Sequence, residues 1–272
     1  MENNNPALNY VRIGEGEPLI ILHGLFGSSK NWQSLSNVFS KHFDVLVLDL
    51  RNHGESFHND MMDYPSMVND VYQLLSQLGI KSCRLVGHSM GGKVAMLLAS
   101  KYPQLVSQLV VADIAPIAYE HNYDNLIDPI MALKLDELES RGAADKVLQA
   151  DIEETQVRQF LLQSLVRDSS ESDGWRWKNN WSAIKQHIDE ITGFPGSGDT
   201  TLNSLQSTVW KVNIPTLFIS GERSNYVEKK GKVVIHGHFE QPHFKVLMNA
   251  NHWLHAEQPK QFSQAVLNFF GV

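Results

Sequence analysis

Gly87-His88-Ser89-Met90-Gly91 reads Gly-x-Ser-x-Gly, a spacing in which two glycines let a strand turn sharply into a helix around a strained serine. Held there, the Ser89 hydroxyl stands at the start of a helix. Free backbone N–H groups and the positive dipole end can stabilise an oxyanion at that point. The motif is short enough to arise as a simple glycine-bounded turn, so its partners decide the reading. A serine hydroxyl needs a base to take its proton, and the base needs a third group to fix its tautomer and support its charge. In chain order the expected sequence is serine, acid, histidine. His252 is the expected base, in the loop Ala250-Asn251-His252-Trp253 after the last predicted strand, while His255 is expected to begin packing against the next helix. Asp113, at the end of the apolar run Val110-Val111-Ala112, is the expected acid. Glu222 is the alternative, because the loop Ser220-Gly221-Glu222-Arg223-Ser224 contains no aspartate.

Two amides must point at the oxyanion. Met90, directly after the nucleophile, and Leu25, in the loop His23-Gly24-Leu25-Phe26-Gly27, are the expected donors. Phe26 and His88 are the expected substrate-side neighbours, Phe26 as apolar floor and His88 more as a structural companion of the elbow. His23 is expected to brace the glycine loop. His236, His238 and His243 lack a carboxylate or cysteine at matching spacing, so they read as a solvated loop and no metal is expected.

The elements that would position these groups follow from apolar periodicity. Leu19–Leu22, Val45–Leu48, Cys83–Val86 and Leu105–Ala112 are short apolar runs typical of strands buried on both faces. Helical spacing separates them, at residues 31–39, at Met67–Leu78 with Gly79 as C-cap, and at Gly91–Lys101. An edge strand is expected at Ala7–Arg12. Strand alternating with helix is the grammar of an α/β, mostly parallel, doubly wound sheet. Between Pro116 and Thr208 no buried strand is expected, only helices at Leu126–Leu138, Ala143–Ala150 and Glu154–Val166. The expected organisation is therefore a core of residues 1–115 and 209–272 with a helical cap insertion at 116–208. The sheet resumes at Thr216–Ile219 and Lys245–Met248, before a last helix from about Lys260 to Phe270. Ser89, Asp113, His252 and the loops after Leu22 and Leu48 all fall at strand carboxyl ends, where open parallel sheets bind ligands.

Composition narrows the partners. The chain of 272 residues is long enough for a sizeable core, and its 42% hydrophobic content suits a globular body. A net charge of −7 without a Lys/Arg-rich block argues against nucleic acid or anionic membrane as partner. No apolar run reaches membrane-spanning length, and the polar start Met1-Glu2-Asn3-Asn4 lacks a secretory signal. Cys83, without a second cysteine to pair with, reads as a buried packing residue in a reducing, cytoplasmic setting.

With these residues placed, the chain resembles the α/β-hydrolase superfamily over nearly its whole length. Within it, Asp49-Leu50-Arg51-Asn52-His53-Gly54-Glu55-Ser56, Gly87-His88-Ser89-Met90-Gly91-Gly92-Lys93, Val111-Ala112-Asp113-Ile114-Ala115-Pro116 and Arg176-Trp177 resemble the bacterial YbfF esterase group and its mitochondrial relatives, abhydrolase domain-containing protein 11. The resemblance implies a cofactor-free serine esterase or thioesterase with a helical cap, acting on short acyl esters and acyl-CoA. It also favours the acid at Asp113. Two rivals stay open on sequence. One is carbon–carbon hydrolysis or elimination on the same fold, which would use charged groups such as Arg51, Lys93 and Arg176. The other is a non-catalytic binding protein whose insertion meets a partner.

Overall fold

Apolar runs such as Leu19–Leu22 and Val45–Leu48 escape water only if both faces are covered. The computed structural model of the chain, which describes residues 7–168, 174–195 and 210–272, sets them side by side in one sheet. In chain order the first half is β1 (Tyr10–Ile13), β2 (Glu17–Leu22), α1 (Gln33–Phe39), β3 (Phe43–Leu48), α2 (Tyr64–Gln77), β4 (Cys83–His88), α3 (Met90–Lys101) and β5 (Val106–Ala112). The inserted segment follows as α4 (Asp124–Met131), α5 (Arg141–Leu148), α6 (Thr155–Leu161), β6 (Leu165–Arg167), β7 (Trp175–Trp177), α7 (Trp181–Gln186) and α8 (Ile188–Thr192). The chain closes with β8 (Thr216–Gly221), α9 (Lys229–His238), β9 (Pro242–Leu247), α10 (Leu254–Glu257) and α11 (Pro259–Phe270).

The seven-stranded sheet has the order β1-β3-β2-β4-β5-β8-β9, and only β1 runs antiparallel. Pairing of Leu22 with Gly87, His88 with Ala112 and Ala112 with Ile219 brings the carboxyl ends of β2, β4, β5 and β8 level. Alternate side chains serve opposite layers. Leu19, Ile21, Val45 and Val47 pack with Trp32, Phe39, Phe262 and Val266. Ile20, Leu22, Leu46 and Leu48 pack with Met67, Val71, Val94 and Leu98, and that layer continues into Ile127, Leu148, Leu161 and Trp181 of the inserted segment. Cys83 is fully buried, and burial pushes its thiol up to about 12. Among the described residues no helix is long and apolar enough to cross a membrane.

Several elements differ from expectation for local reasons. The edge strand begins at Tyr10, not Ala7. The expected helix at Leu126–Leu138 stops at Met131, after an internal Pro129 that cannot donate to the helical ladder. The expected helix at Glu154–Val166 ends at Leu161, and Leu165–Arg167 pairs with Trp175–Trp177 as a hairpin. Helix α9 was not foreseen, because Gly231, Gly237 and the run Val233-Val234-Ile235 have low helix propensity. His236 and His238 therefore lie on a helix and His243 on β9, not in a solvated loop. Residues 1–6 and the expected end of the insertion near residue 208 lie outside the described residues.

Lys93 ties the insertion to the sheet. It is buried on α3, and its ammonium donates to the carbonyls of Ile191 (3.3 Å), Thr192 (2.7 Å) and Gly193 (2.5 Å) at the end of α8. These acceptors favour the charged form, yet burial pushes the group down to about 7. An unfolded lysine titrates near 10.5, so between about pH 7 and 10.5 the unfolded state binds the extra proton and stability rises with pH. Below that window this contribution is flat. Urea unfolding from pH 7 to 9.5 should show the rise in wild type and lose it in Lys93→Met. Equal slopes in the two proteins would contradict it.

Candidate active site

The turn from β4 into α3 holds Ser89 at φ 51° and ψ −120°, a conformation that costs a non-glycine residue about 1–3 kcal/mol. Close backbone packing maintains it. A Cβ on Gly91 would stand 2.4 Å from the His23 carbonyl oxygen and 2.6 Å from that of Leu22, so glycine alone lets α3 begin against the end of β2.

His252 faces this serine, with Nε2 3.1 Å from Ser89 Oγ and Nδ1 2.8 Å from Asp113 Oδ2. An ionised carboxylate can only accept, which assigns the hydrogen to Nδ1 and leaves Nε2 to accept from the serine hydroxyl. Asp113 is fully buried and also lies at positive φ, 52°. Its Oδ1 accepts the Gly221 N–H at 3.1 Å, and its Oδ2 also accepts the Ser224 hydroxyl. Glu222 is not brought to His252. Its carboxylate turns to the Asn249 N–H at 2.8 Å.

Four further histidines around Ser89 are buried and act as braces. His88 donates Nε2–H to the His252 carbonyl at 2.9 Å. His255 stacks on Trp32 at 4.4 Å and meets Phe262 of α11. His23 Nε2 accepts the Leu50 N–H at 3.0 Å, and His53 Nε2 accepts the Phe26 N–H at 3.1 Å. Burial holds all four toward the neutral form, His53 and His255 at about 3. A neutral imidazole is what the acceptor roles of His23 and His53 require. The Asp49–Ser56 loop thus braces the loop after β2, helped by Asp49, which accepts the N–H groups of Ser29 (2.6 Å) and Glu55 (2.9 Å).

With the Phe26 amide taken, Leu25 and Met90 line the same recess as Ser89, together with Ile114, Tyr119 and Tyr226. The recess has room for about one water, 20 Å³, and adjoins an outer cleft of about 1020 Å³. Phe26, His88, Phe160 and Trp253 line the cleft, Phe26 with its ring against Tyr123 (5.7 Å) and Trp181 (5.1 Å). Arg51 and Arg176 lie outside both spaces. Arg51 forms a paired contact with Asp70, and Arg176 is 3.9 Å from Asp168. Only Lys93 of the three expected cations reaches the recess. Among the described residues no group of three His, Cys, Asp or Glu could hold a metal. Sequence reading passed over Ser224 and Tyr226. The missing aspartate in their loop marked the place, but nothing in the pattern pointed to a tyrosine.

Comparison with known proteins agrees with this architecture. A family model described as the α/β hydrolase fold matches residues 17–259. The "sn-1-specific diacylglycerol lipase ABHD11" of Xenopus laevis is 36% identical over 262 residues, covering 93% of this chain and 80% of that protein. "Esterase YbfF" of Escherichia coli is 30% identical over 253 residues, covering 93% and 92%. A solved structure described as "Marine microorganism esterase" superimposes with a TM-score of 0.89 at 36% identity, over 97% of this chain and all of that one. The chain belongs to the α/β-hydrolase fold family and resembles its YbfF and ABHD11 group.

Proposed function

We propose that this hydrolase cleaves short-to-medium acyl esters and thioesters through an acyl-enzyme on Ser89, with the inserted segment as a cap over the site. The observation that carries the reading is the unbroken run of hydrogen bonds from Ser89 Oγ through His252 to Asp113. The broader class, ester hydrolysis on this fold, rests on the family and on relatives described as esterases and lipases.

In the proposed reaction Ser89 Oγ attacks the acyl carbonyl carbon while its proton passes to His252 Nε2. Asp113 holds Nδ1–H and supports the imidazolium. The carbonyl oxygen becomes an oxyanion received by the Leu25 and Met90 amides, a role supported by their shared recess with Ser89 and by the engagement of Phe26 with His53. Collapse breaks the bond to the leaving oxygen or sulfur, which takes the proton from Nε2. Water then repeats the sequence and frees the acid. The apolar side chains of the cleft, among them Phe26, Leu126, Phe160, Leu161 and Trp253, suit an acyl chain, while Lys30, Glu154 and Glu257 offer polar contacts beside them.

Removing the nucleophile should abolish the chemistry. Ser89→Ala is expected to lower turnover of a chromogenic acetyl ester by about 10⁴-fold or more and to end labelling by a fluorophosphonate. Retained turnover in that variant would sink the proposal, and unlabelled wild type would favour a binding protein. Asp113→Asn should cost about 10³–10⁴-fold with Glu222→Gln near wild type. The opposite pattern would move the acid to Glu222. Across an ester series, kcat/KM should peak from acetyl to octanoyl and fall for palmitoyl, with acyl-CoA thioesters turned over in the same range. A peak at palmitoyl would contradict the assigned chain length.

A further inference from the structure

The net charge of −7 sets anionic membranes aside for the chain as a whole, but that charge is not evenly spread. On α9, Lys229, Lys232, Val233 and His236 stand at i, i+3, i+4 and i+7, which places them on one helical face, and all four are exposed. That face meets the edge strand β9. Lys232 Nζ lies 5.6 Å over the Phe244 ring, and the His236 ring is 5.4 Å from it. Val246 shares the Phe244 side of the strand, and Met248 follows just beyond its end. Val233 is 67% exposed, Val246 45% and Met248 53%. Lys230 and Lys245 flank this apolar strip, and the acids beside it, Glu228 and Glu240, leave the cations in excess. Among the described residues Lys229, Lys230, Lys232 and Lys245 form no ion pair.

We infer that the outer face of α9 and the edge strand β9 form a docking surface for an anionic lipid membrane, with Val233, Val246 and Met248 entering the headgroup layer and Lys229 and Lys232 pairing with lipid headgroup anions. Exposed apolar tips ringed by ammonium groups match a surface that is apolar within and negative at its face. A further strand matches less well. The Gln241 and Leu247 carbonyls accept the Thr216 and Glu222 N–H groups, so the odd-numbered residues of β9 face β8 and the backbone of Pro242, Phe244 and Val246 faces outward. Pro242 has no N–H to give that edge, and Lys245 carries charge along it, two features that oppose edge pairing. A second copy docked by two-fold symmetry would set the same lysines against these. The inference does not depend on the reading of Ser89, yet it bears on substrate supply. Strand β9 runs into the loop that carries His252, and docking there brings membrane-dissolved acyl esters toward the cleft.

The test is sedimentation of the full chain with vesicles of phosphatidylcholine, alone or with about 30% phosphatidylserine. Wild type should partition onto the anionic vesicles about 10-fold or more better than onto the neutral ones, and high salt should remove the difference. Lys229→Glu with Lys232→Glu should lower that binding by about 10-fold or more, and Val233→Ser with Val246→Ser by about 3–10-fold. Lys41→Glu with Lys81→Glu, the same charge change on exposed lysines elsewhere, should stay within about 2-fold of wild type. Turnover of a soluble acetyl ester and the melting temperature, near wild type in each, mark the variants as folded. Since Cys83 is buried, a dye on Val233→Cys has one reactive thiol and should shift to the blue on anionic vesicles, whereas a dye on Val147→Cys should not. Should a double variant not fold, the dye pair and the salt dependence decide. Equal or absent binding to the two vesicles, unaltered binding of the Lys229 and Lys232 variant, an equal loss in the control pair or an unshifted Val233 probe overturns the inference. A dimer in analytical ultracentrifugation that the Lys229 and Lys232 variant breaks would give the face to a second copy and overturn it too. Wild type that docks in this way but hydrolyses no ester would overturn the reading of Ser89 and leave the docking surface standing.

Discussion

Ser89 sits in a backbone conformation that an L-residue adopts only under constraint, and the constraint is the close approach of α3 to the end of β2. Gly91 has no room for a side chain against the Leu22 and His23 carbonyls. The pairing of Leu22 with Gly87 sets that approach, and the neighbouring pairing of His88 with Ala112 puts Asp113 one strand away. Asp113 also stands at positive φ, so two strained residues face the same histidine. Strain of this kind survives where the surrounding sheet over-determines it. The buried strand β3 and the buried carboxyl-terminal portions of β2 and β4 supply that rigidity.

The histidines around the serine show how one imidazole is set apart from its neighbours. His23, His53, His88 and His255 are enclosed, and a charge on any of them would lack solvation. His23, His53 and His88 work as hydrogen-bonding braces for the loops that carry Leu25 and His252, and His255 braces by stacking on Trp32. His252 differs from them in having a partly open side chain and a carboxylate at Nδ1. The same enclosure separates cations by role. Lys93 is spent on the carbonyls at the end of α8, and Arg51 on Asp70. The cleft combines aromatic and aliphatic side chains such as Phe26, Phe160 and Trp253 with polar ones such as Lys30, Glu154 and Glu257.

Much of the sheet was legible because buried parallel strands write themselves as uninterrupted Val, Ile and Leu runs. The site was legible where chemistry dictates both residue type and strand-end position, as at Ser89, Asp113 and His252. The insertion was harder to read. Pro129 shortens a helix that periodicity extends, and Leu165–Arg167 becomes a strand only because Trp175–Trp177 pairs with it. Helix α9 contradicts its own propensity and is held through Ile235 and Phe239 by the core. Arg51 and Arg176 looked available for substrate because charge is visible in sequence and pairing is not.

By itself, then, the sequence determined the α/β alternation, the elbow and the order of serine, acid candidates and histidine, since each is a local pattern of apolar period, glycine or functional group. Tertiary structure alone decided which carboxylate meets His252. Asp113 lies at the level end of an adjacent strand, whereas Glu222 is drawn away to Asn249. It alone placed Ser224 against Asp113 and Tyr226 over the imidazole, contacts across more than a hundred residues and across 26 residues that depend on strand register and loop path. No local period encodes them, because the partner surfaces exist only once the sheet has formed.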